Sequence, residues 1–487
     1  MPPSPTPFPL DATPTPRPTP TPIPLPTAGT TETPSYGHGL SLLTGPVPTT
    51  VEIVTIAAVV VTAVVFTVVA WRTGRRRLLW LPASVLIGVA VALAVRTWVD
   101  AEGLASDPSP WQMWAWTTIF VAMIPIAVLS WRRSRWWRRA VALLAVPLAL
   151  LTTVLTLNQW VGYYPTVTAA WGALTAGPLP HQVDANALAG MRNTNPTTGA
   201  IVEVTIDDAV SGFTHRNEYV YLPPAWFAGD HPPALPAVLM IGGEFNTPAD
   251  WIRSGNIMPI IDDFTAAHGG KAPILVFVDS GGSFNNDTEC VNGPRGNAAD
   301  HLTKDVRPYV ISQFGASPDP ANWGVVGWSM GGTCAIDLTV MHPELFTAFV
   351  DIAGDHGPTA GTKDQTIDRL YGGDADAWAA FDPSTVMTKH GRYTGVSGLF
   401  EDTVTPDSAK NKAHGSRPQP DGPSGFGGRD DVRDSDETGA AEDLCATAQT
   451  VGIPCEIHTQ VSFHTWQFAG QAFDDALPWI AARVGAV

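Results

Sequence analysis

Basic side chains are scarce in this chain: 28 Lys and Arg stand against 45 Asp and Glu, a formal net charge of -17 at pH 7. Nucleic acid is therefore not an expected partner, because a phosphate backbone is held by clustered cations. Cysteine is sparse too, with 4 in the whole chain. None stands in a Cys-x-x-Cys pair, so no zinc site is expected. No repeat of fixed period runs through the sequence, which excludes solenoids and propellers. Residues 1–36 carry no apolar run of the signal-peptide kind. They are a Pro/Thr tract of polyproline II character, and residues 1–49 are expected to form a solvated tail that does not pack.

Long apolar runs are present, and all of them fall between residues 50 and 162. Thr50 to Trp71, Leu78 to Trp98, Trp111 to Trp131 and Ala140 to Gly162 each approach the ~20 residues that cross a bilayer core. None holds Asp, Glu or Lys at mid-depth, and Arg96 lies near an end where its head can reach the interface. The bundle therefore reads as an anchor and not as a transporter. Arg72, Arg75, Arg76 and Arg77 fill the first connection, and Arg132, Arg133, Arg135, Arg138 and Arg139 the third. The second holds Asp100, Glu102 and Asp107 and no basic residue. The positive-inside rule puts both basic loops in the cytoplasm, and the N-terminus, the middle loop and everything after residue 162 outside the cell membrane. The Trp residues at the ends of the runs fit an interfacial belt.

After residues 163–199, expected to be a linker, an acidic segment from residue 200 to 487 is long enough for a full α/β core. Within it, Gly327-Trp328-Ser329-Met330-Gly331 stands between the apolar stretch Trp323 to Val326 and the helical pattern Gly332 to Leu338. Strand, sharp turn and helix are the context of a nucleophile elbow, whose small residues two before and two after let the chain turn tightly under an exposed hydroxyl. Ser329 is the expected nucleophile. A serine needs a base, and on this fold the chain order is Ser, acid, His. His464, on the loop after the strand-like Pro454 to Gln460, is the expected base, with His458 inside the strand as the plainer packing histidine. Asp402, following the strand-like Tyr393 to Phe400, is the expected acid, with Glu401 and Glu442 as alternatives. The oxyanion hole is expected from the amides of Met330 and of Glu244 or Gly243, the latter two after the strand Pro236 to Ile241.

The remaining features are peripheral to the chemistry. Residues 403–440 read as a long loop insertion, and the charge run Arg429 to Glu437 within it reads as a solvated face in preference to a Ca²⁺ site. An even cysteine count outside the cell favours two disulfides. Of the three possible pairings, Cys290 with Cys334 and Cys445 with Cys455 are preferred, the first tying a pocket loop to the nucleophile helix.

Arg216-Asn217-Glu218-Tyr219-Val220-Tyr221-Leu222-Pro223-Pro224, Asp250-Trp251, Gly327 to Gly332 and His464-Thr465-Trp466 together resemble the esterase family of α/β hydrolases that contains esterase D and the antigen 85 mycolyltransferases of actinobacteria. The resemblance covers roughly residues 200 to 487. It implies a mostly parallel central sheet flanked by helices, and a serine esterase or acyltransferase with no metal or organic cofactor. Around the acid the chain departs from the mycolyltransferases, and trehalose mycolate specificity is not carried over. The four-helix leader before such a domain resembles membrane-anchored actinobacterial esterases. The expected partners are an ester or acyl-lipid substrate of the cell envelope and the lipid bilayer. An inactive envelope-binding module on the same fold is the reading from a different class.

Overall fold

The computed structural model describes residues 40–74, 78–102, 109–130, 135–175, 177–283, 286–404, 437–462 and 464–487. The Pro/Thr tract, Asp107, Arg75 to Arg77, Arg132 and Arg133, and residues 429–436 of the charge run lie outside them.

Four helices lead the described chain: α1 (Pro46–Thr73), α2 (Trp80–Glu102), α3 (Trp111–Ser130) and α4 (Trp136–Val161). All four are long and apolar enough to cross a membrane. Their outer faces leave large apolar side chains such as Val64, Leu86 and Leu144 exposed, while Phe66, Met123, Ile126 and Ala145 pack inward. In water that outer surface would be costly; against lipid it costs nothing. A hydroxyl pair, Thr55 Oγ1 to Thr152 Oγ1 at 2.8 Å, clips α1 to α4.

The segment expected as a linker is structured. After α4 the chain turns through Gly162, in the left-handed region at φ 69°. Tyr163 and Tyr164 follow, then the short helix α5 (Val167–Leu174), capped by Thr166 Oγ1 accepting from the Ala169 amide at 3.1 Å. Beyond it β1 (Gln182–Val183) joins the main sheet beside β2 (Ala200–Val204).

That sheet continues with β3 (Glu218–Leu222), β4 (Ala237–Ile241) and β5 (Ile274–Val278); a small hairpin, β6 (Asn292–Gly293) with β7 (Gly296–Asn297), stands apart. Then come β8 (Trp323–Trp328), β9 (Ala348–Ile352), β10 (Ser397–Val404) and β11 (Cys455–Val461). The nine-stranded order is β1-β2-β3-β5-β4-β8-β9-β10-β11, with β3 antiparallel to both neighbours and every other pairing parallel. The strands β4, β5, β8 and β9 are buried along their whole length, as expected of parallel strands covered on both faces. One face packs Phe227, Phe349 and Phe400, the other Trp251, Phe277 and Phe473. Each such side chain contributes about 1.5–3 kcal/mol by leaving water.

Two features of this topology position the site. The exchange of β4 and β5 in the order opens a crevice at the carboxyl ends of the strands, where α/β sheets bind ligands. The register Ile241 to Gly327 then brings the loop after β4 beside the turn after β8. Both disulfides pair as preferred, Cys290 with Cys334 and Cys445 with Cys455. At its C-terminal end β10 runs past the expected limit at Phe400, because it pairs with β11 as far as Val404 with Val461. Glu401 and Asp402 are thus strand residues, not loop residues. Residues 405–436 lie outside those described, and the helix Glu437–Thr450 begins within the expected insertion.

Candidate active site

Between β8 and the helix Met330–Met341, Ser329 sits at φ 58° and ψ -123°. A non-glycine residue there costs about 1–3 kcal/mol, so the surroundings must enforce it. The Ser329 amide donates to Ile352 O at 2.9 Å, tying the turn to the end of β9. A Cβ on Gly327 would lie 1.6 Å from Gly331 O, and one on Gly331 would lie 2.3 Å from Ile241 O. Neither position admits a side chain, which is the physical reason for Gly-x-Ser-x-Gly.

His464 brings its Nε2 to 3.0 Å from Ser329 Oγ. Its ring lies 4.3 Å from the buried Trp328 ring, which fixes the imidazole from one side. Thr465 starts the closing helix Trp466–Arg483, its hydroxyl accepting from the Phe468 amide. His458 lies elsewhere: on β11 its Nδ1 is 2.7 Å from Glu401 Oε1. Burial pushes the Glu401 carboxyl up to about 7, with His458 pulling the other way. Asp402 is buried and, as the next residue along β10, points to the opposite face. Glu442 is exposed on the helix Glu437–Thr450.

The loop after β4 runs directly above Ser329, since a Cβ on Gly243 would stand 3.1 Å from Ser329 Cβ. Its amides are not equivalent. Gly243 N–H donates to Asn246 Oδ1 at 2.7 Å, so the expectation that it stabilises an oxyanion gives way to a turn-closing role. The Glu244 and Met330 amides donate to no acceptor among the described residues, the latter because it opens a helix whose first amides have no partner within it. The turn is anchored from below, where Arg216 Nη2 donates to Asn246 O at 2.8 Å and forms a two-point pair with Asp279, Nε to Oδ2 at 2.9 Å and Nη2 to Oδ1 at 2.6 Å. Burial opposes the Asp279 charge, but Arg216 holds its pKa below the usual range.

One wall of the crevice is acidic. Burial, reinforced by Asp287, pushes Glu244 up to about 9. Burial pushes Asp287 up to about 6 against the pull of Arg295, whose Nη1 lies 3.4 Å from Asp287 Oδ2. Glu289 is raised strongly by burial and by Asp287, and its neighbour Cys290 is bridged to Cys334 on the helix Met330–Met341. A neutral Glu244 carboxyl at pH 7 can donate a hydrogen bond where an anion could only accept.

A second buried polar cluster lies behind this wall. His215, Glu218 and His301 hold donor atoms within 4.8 Å of one another. The two imidazoles stack at 4.2 Å with 27° between planes, so their in-plane lone pairs do not converge on one point. His215 Nδ1 and Nε2 each lie 2.8 Å from a backbone carbonyl, Arg216 O and Ile206 O. Glu218 Oε1 accepts from the Asp279 amide at 2.9 Å, so the cluster fits a role in bracing the Asp279 turn.

Sequence reasoning missed Asn246, the Arg216–Asp279 pair as an anchor, and Tyr163. Tyr163 OH donates to Asp250 Oδ2 at 2.6 Å across 87 residues of sequence, a pairing that no local pattern announces.

The family model described as "Putative esterase" matches residues 214–411. An uncharacterized protein of Corynebacterium glutamicum is 33% identical over 368 residues, covering 71% of this chain and 83% of that protein. Among solved structures, an S-formylglutathione hydrolase from Agrobacterium tumefaciens is 18% identical with a TM-score of 0.44, over 60% of this chain and 97% of that one. MPT51 of Mycobacterium tuberculosis is 16% identical with a TM-score of 0.38, over 58% of this chain and 99% of that one.

Proposed function

This chain belongs to the putative esterase family, and from that premise we propose that it is a membrane-anchored serine esterase or acyltransferase acting on acyl esters at the outer face of the cell membrane. The observation that carries the proposal is the 3.0 Å approach of His464 Nε2 to Ser329 Oγ at a strained elbow. Ser329 Oγ attacks the ester carbonyl while His464 takes its proton. The amides of Met330 and Glu244 hold the oxyanion that develops. The tetrahedral adduct expels the alkoxide, which leaves as an alcohol with the proton from His464, and an acyl-Ser329 remains. Water then gives a free acid, or a sugar hydroxyl gives a new ester, with His464 again moving the proton. Asp402 is the carboxylate assigned to orient His464 and stabilise its charged form.

The leader supports the setting. Four apolar helices, acid-only and Arg-rich connections in alternation, and two disulfides in the same domain agree with an extracytoplasmic catalytic domain. The helix α5 begins six residues after α4 ends and exposes Val167, Trp171 and Leu174 to 42%, 68% and 79%. Their i, i+4, i+7 spacing makes one apolar stripe of the kind that lies in a bilayer interface. An ester carried by a lipid is the substrate class this placement favours. Ser329→Ala tests the assignment: turnover of a p-nitrophenyl ester should fall by several orders of magnitude with the melting temperature unchanged, since only binding and oxyanion stabilisation remain. Wild-type turnover in that variant would overturn it.

A further inference from the structure

The chain leaves α4 through two residues that touch both loops of the catalytic crevice. Tyr163 OH donates to Asp250 Oδ2 at 2.6 Å, and the same oxygen accepts from the Thr247 amide at 2.5 Å and from Thr247 Oγ1 at 2.9 Å. The phenol oxygen in turn lies 3.4 Å from Asn246 Nδ2, and Asn246 Oδ1 is the acceptor that pins Gly243 above Ser329. One residue earlier, Gly162 O accepts from Gln467 Nε2 at 2.8 Å. A Cβ on Gly162 would stand 2.5 Å from Gln467 Oε1 and 2.7 Å from Thr465 Cβ, the residue next to His464. Gly162 also sits at φ 69°, where a side chain is strained.

We propose that the exit from the fourth helix is a positioning element of the catalytic crevice, with Tyr163 holding the oxyanion loop and Gly162 seating the histidine loop. A plain tether would have no reason to place a half-buried phenol against the buried Asp250 or to demand a residue without a side chain at the loop that carries His464. The arrangement couples the two halves of the chain. The loop bearing the Glu244 amide keeps its geometry only while Asn246 is held, and Asn246 is held by Tyr163 from one side and by Arg216 from the other. The leader is then part of the catalytic apparatus as well as an anchor, and the crevice is fixed at the end of α4 where a lipid-borne ester would be presented. This inference rests on the proposed esterase reading.

The test uses the full chain in detergent micelles, with Tyr163→Phe and Gly162→Ala compared with wild type on a soluble p-nitrophenyl ester. Tyr163→Phe removes one hydroxyl and keeps the ring, so the fold should survive. We expect kcat to fall roughly tenfold or more in each variant, KM to stay within about twofold, and the melting temperature of Tyr163→Phe to move little while that of Gly162→Ala falls with the strain at that position, because displaced oxyanion and base loops weaken transition-state contacts selectively. Fluorophosphonate labelling of the variants should slow in parallel with kcat. Unchanged kcat in both variants, or a loss confined to the melting temperature, would contradict the positioning role while leaving the esterase reading intact. A wild-type chain without turnover would overturn both readings together.

Discussion

A serine held at φ 58° persists only where its neighbours leave no alternative, and around Ser329 they do so through backbone: Gly331 O and Ile241 O occupy the space that side chains on Gly327 and Gly331 would need. That is why the elbow turn was legible from five residues of sequence. The approach of His464 to Ser329 was expected for a related reason, since chain order and the end of a strand-like stretch pointed to it without any long-range knowledge. The acid is harder, because any carboxylate near the end of β10 satisfies the same local criteria. Glu401 is committed to His458, whose Nδ1 is 2.7 Å away, and the alternation of the strand turns Asp402 to the other face. Asp402→Asn should therefore lower kcat by roughly 10³- to 10⁴-fold through loss of the correct imidazole tautomer, whereas Glu401→Gln should leave kcat near wild type. Steady-state kinetics of the two variants separates the cases; a large loss on Glu401→Gln with none on Asp402→Asn would move the orienting role to Glu401. The oxyanion amides divided in the same way. Sequence offered Gly243 and Glu244 together, and only the bond from Gly243 N–H to Asn246 Oδ1 tells them apart.

At the level of elements, hydrophobic runs announced the four helices and the buried strands β4, β5 and β8, whereas β9, with Asp351 inside it, carried no such run. What they could not announce is pairing. β10 extends to Val404 because β11 lies beside it, and Gln182 and Val183 form a strand only because β2 offers its edge. Two residues carry no periodicity, so residues 163–199 read as a linker. The helix α5 was hidden for another reason: at eight residues it is too short to rise above the noise of an apolar count, although Val167, Trp171 and Leu174 fall on one stripe. Their exposure gives a prediction. Trp171→Ser combined with Leu174→Ser should leave turnover of a soluble ester unchanged and raise the apparent KM for an acyl ester embedded in vesicles severalfold, since about 25 cal/mol is lost per Å² of apolar surface no longer inserted. Equal KM values for wild type and the double variant on the vesicle substrate would detach α5 from substrate presentation.

Across the whole molecule, the four-helix leader and the sheet domain use opposite chemistry and meet at a short seam. The leader carries its cations in two connections and apolar surface on its outer faces, while the sheet domain holds most of the acidic residues. The seam is where α4 ends, and there Gly162 and Tyr163 reach Gln467, Asp250 and Asn246. Its contacts span 87 and 305 residues of sequence, which is why composition could not see how the two halves are joined. The central claim, that Ser329 is an activated nucleophile in this setting, is tested most directly by a covalent adduct. The full-length chain in detergent is treated with a fluorophosphonate, digested and analysed by mass spectrometry. One phosphonylated peptide is expected, modified at Ser329, and no adduct in Ser329→Ala. An unmodified Ser329 peptide, or an adduct on another residue, would contradict it.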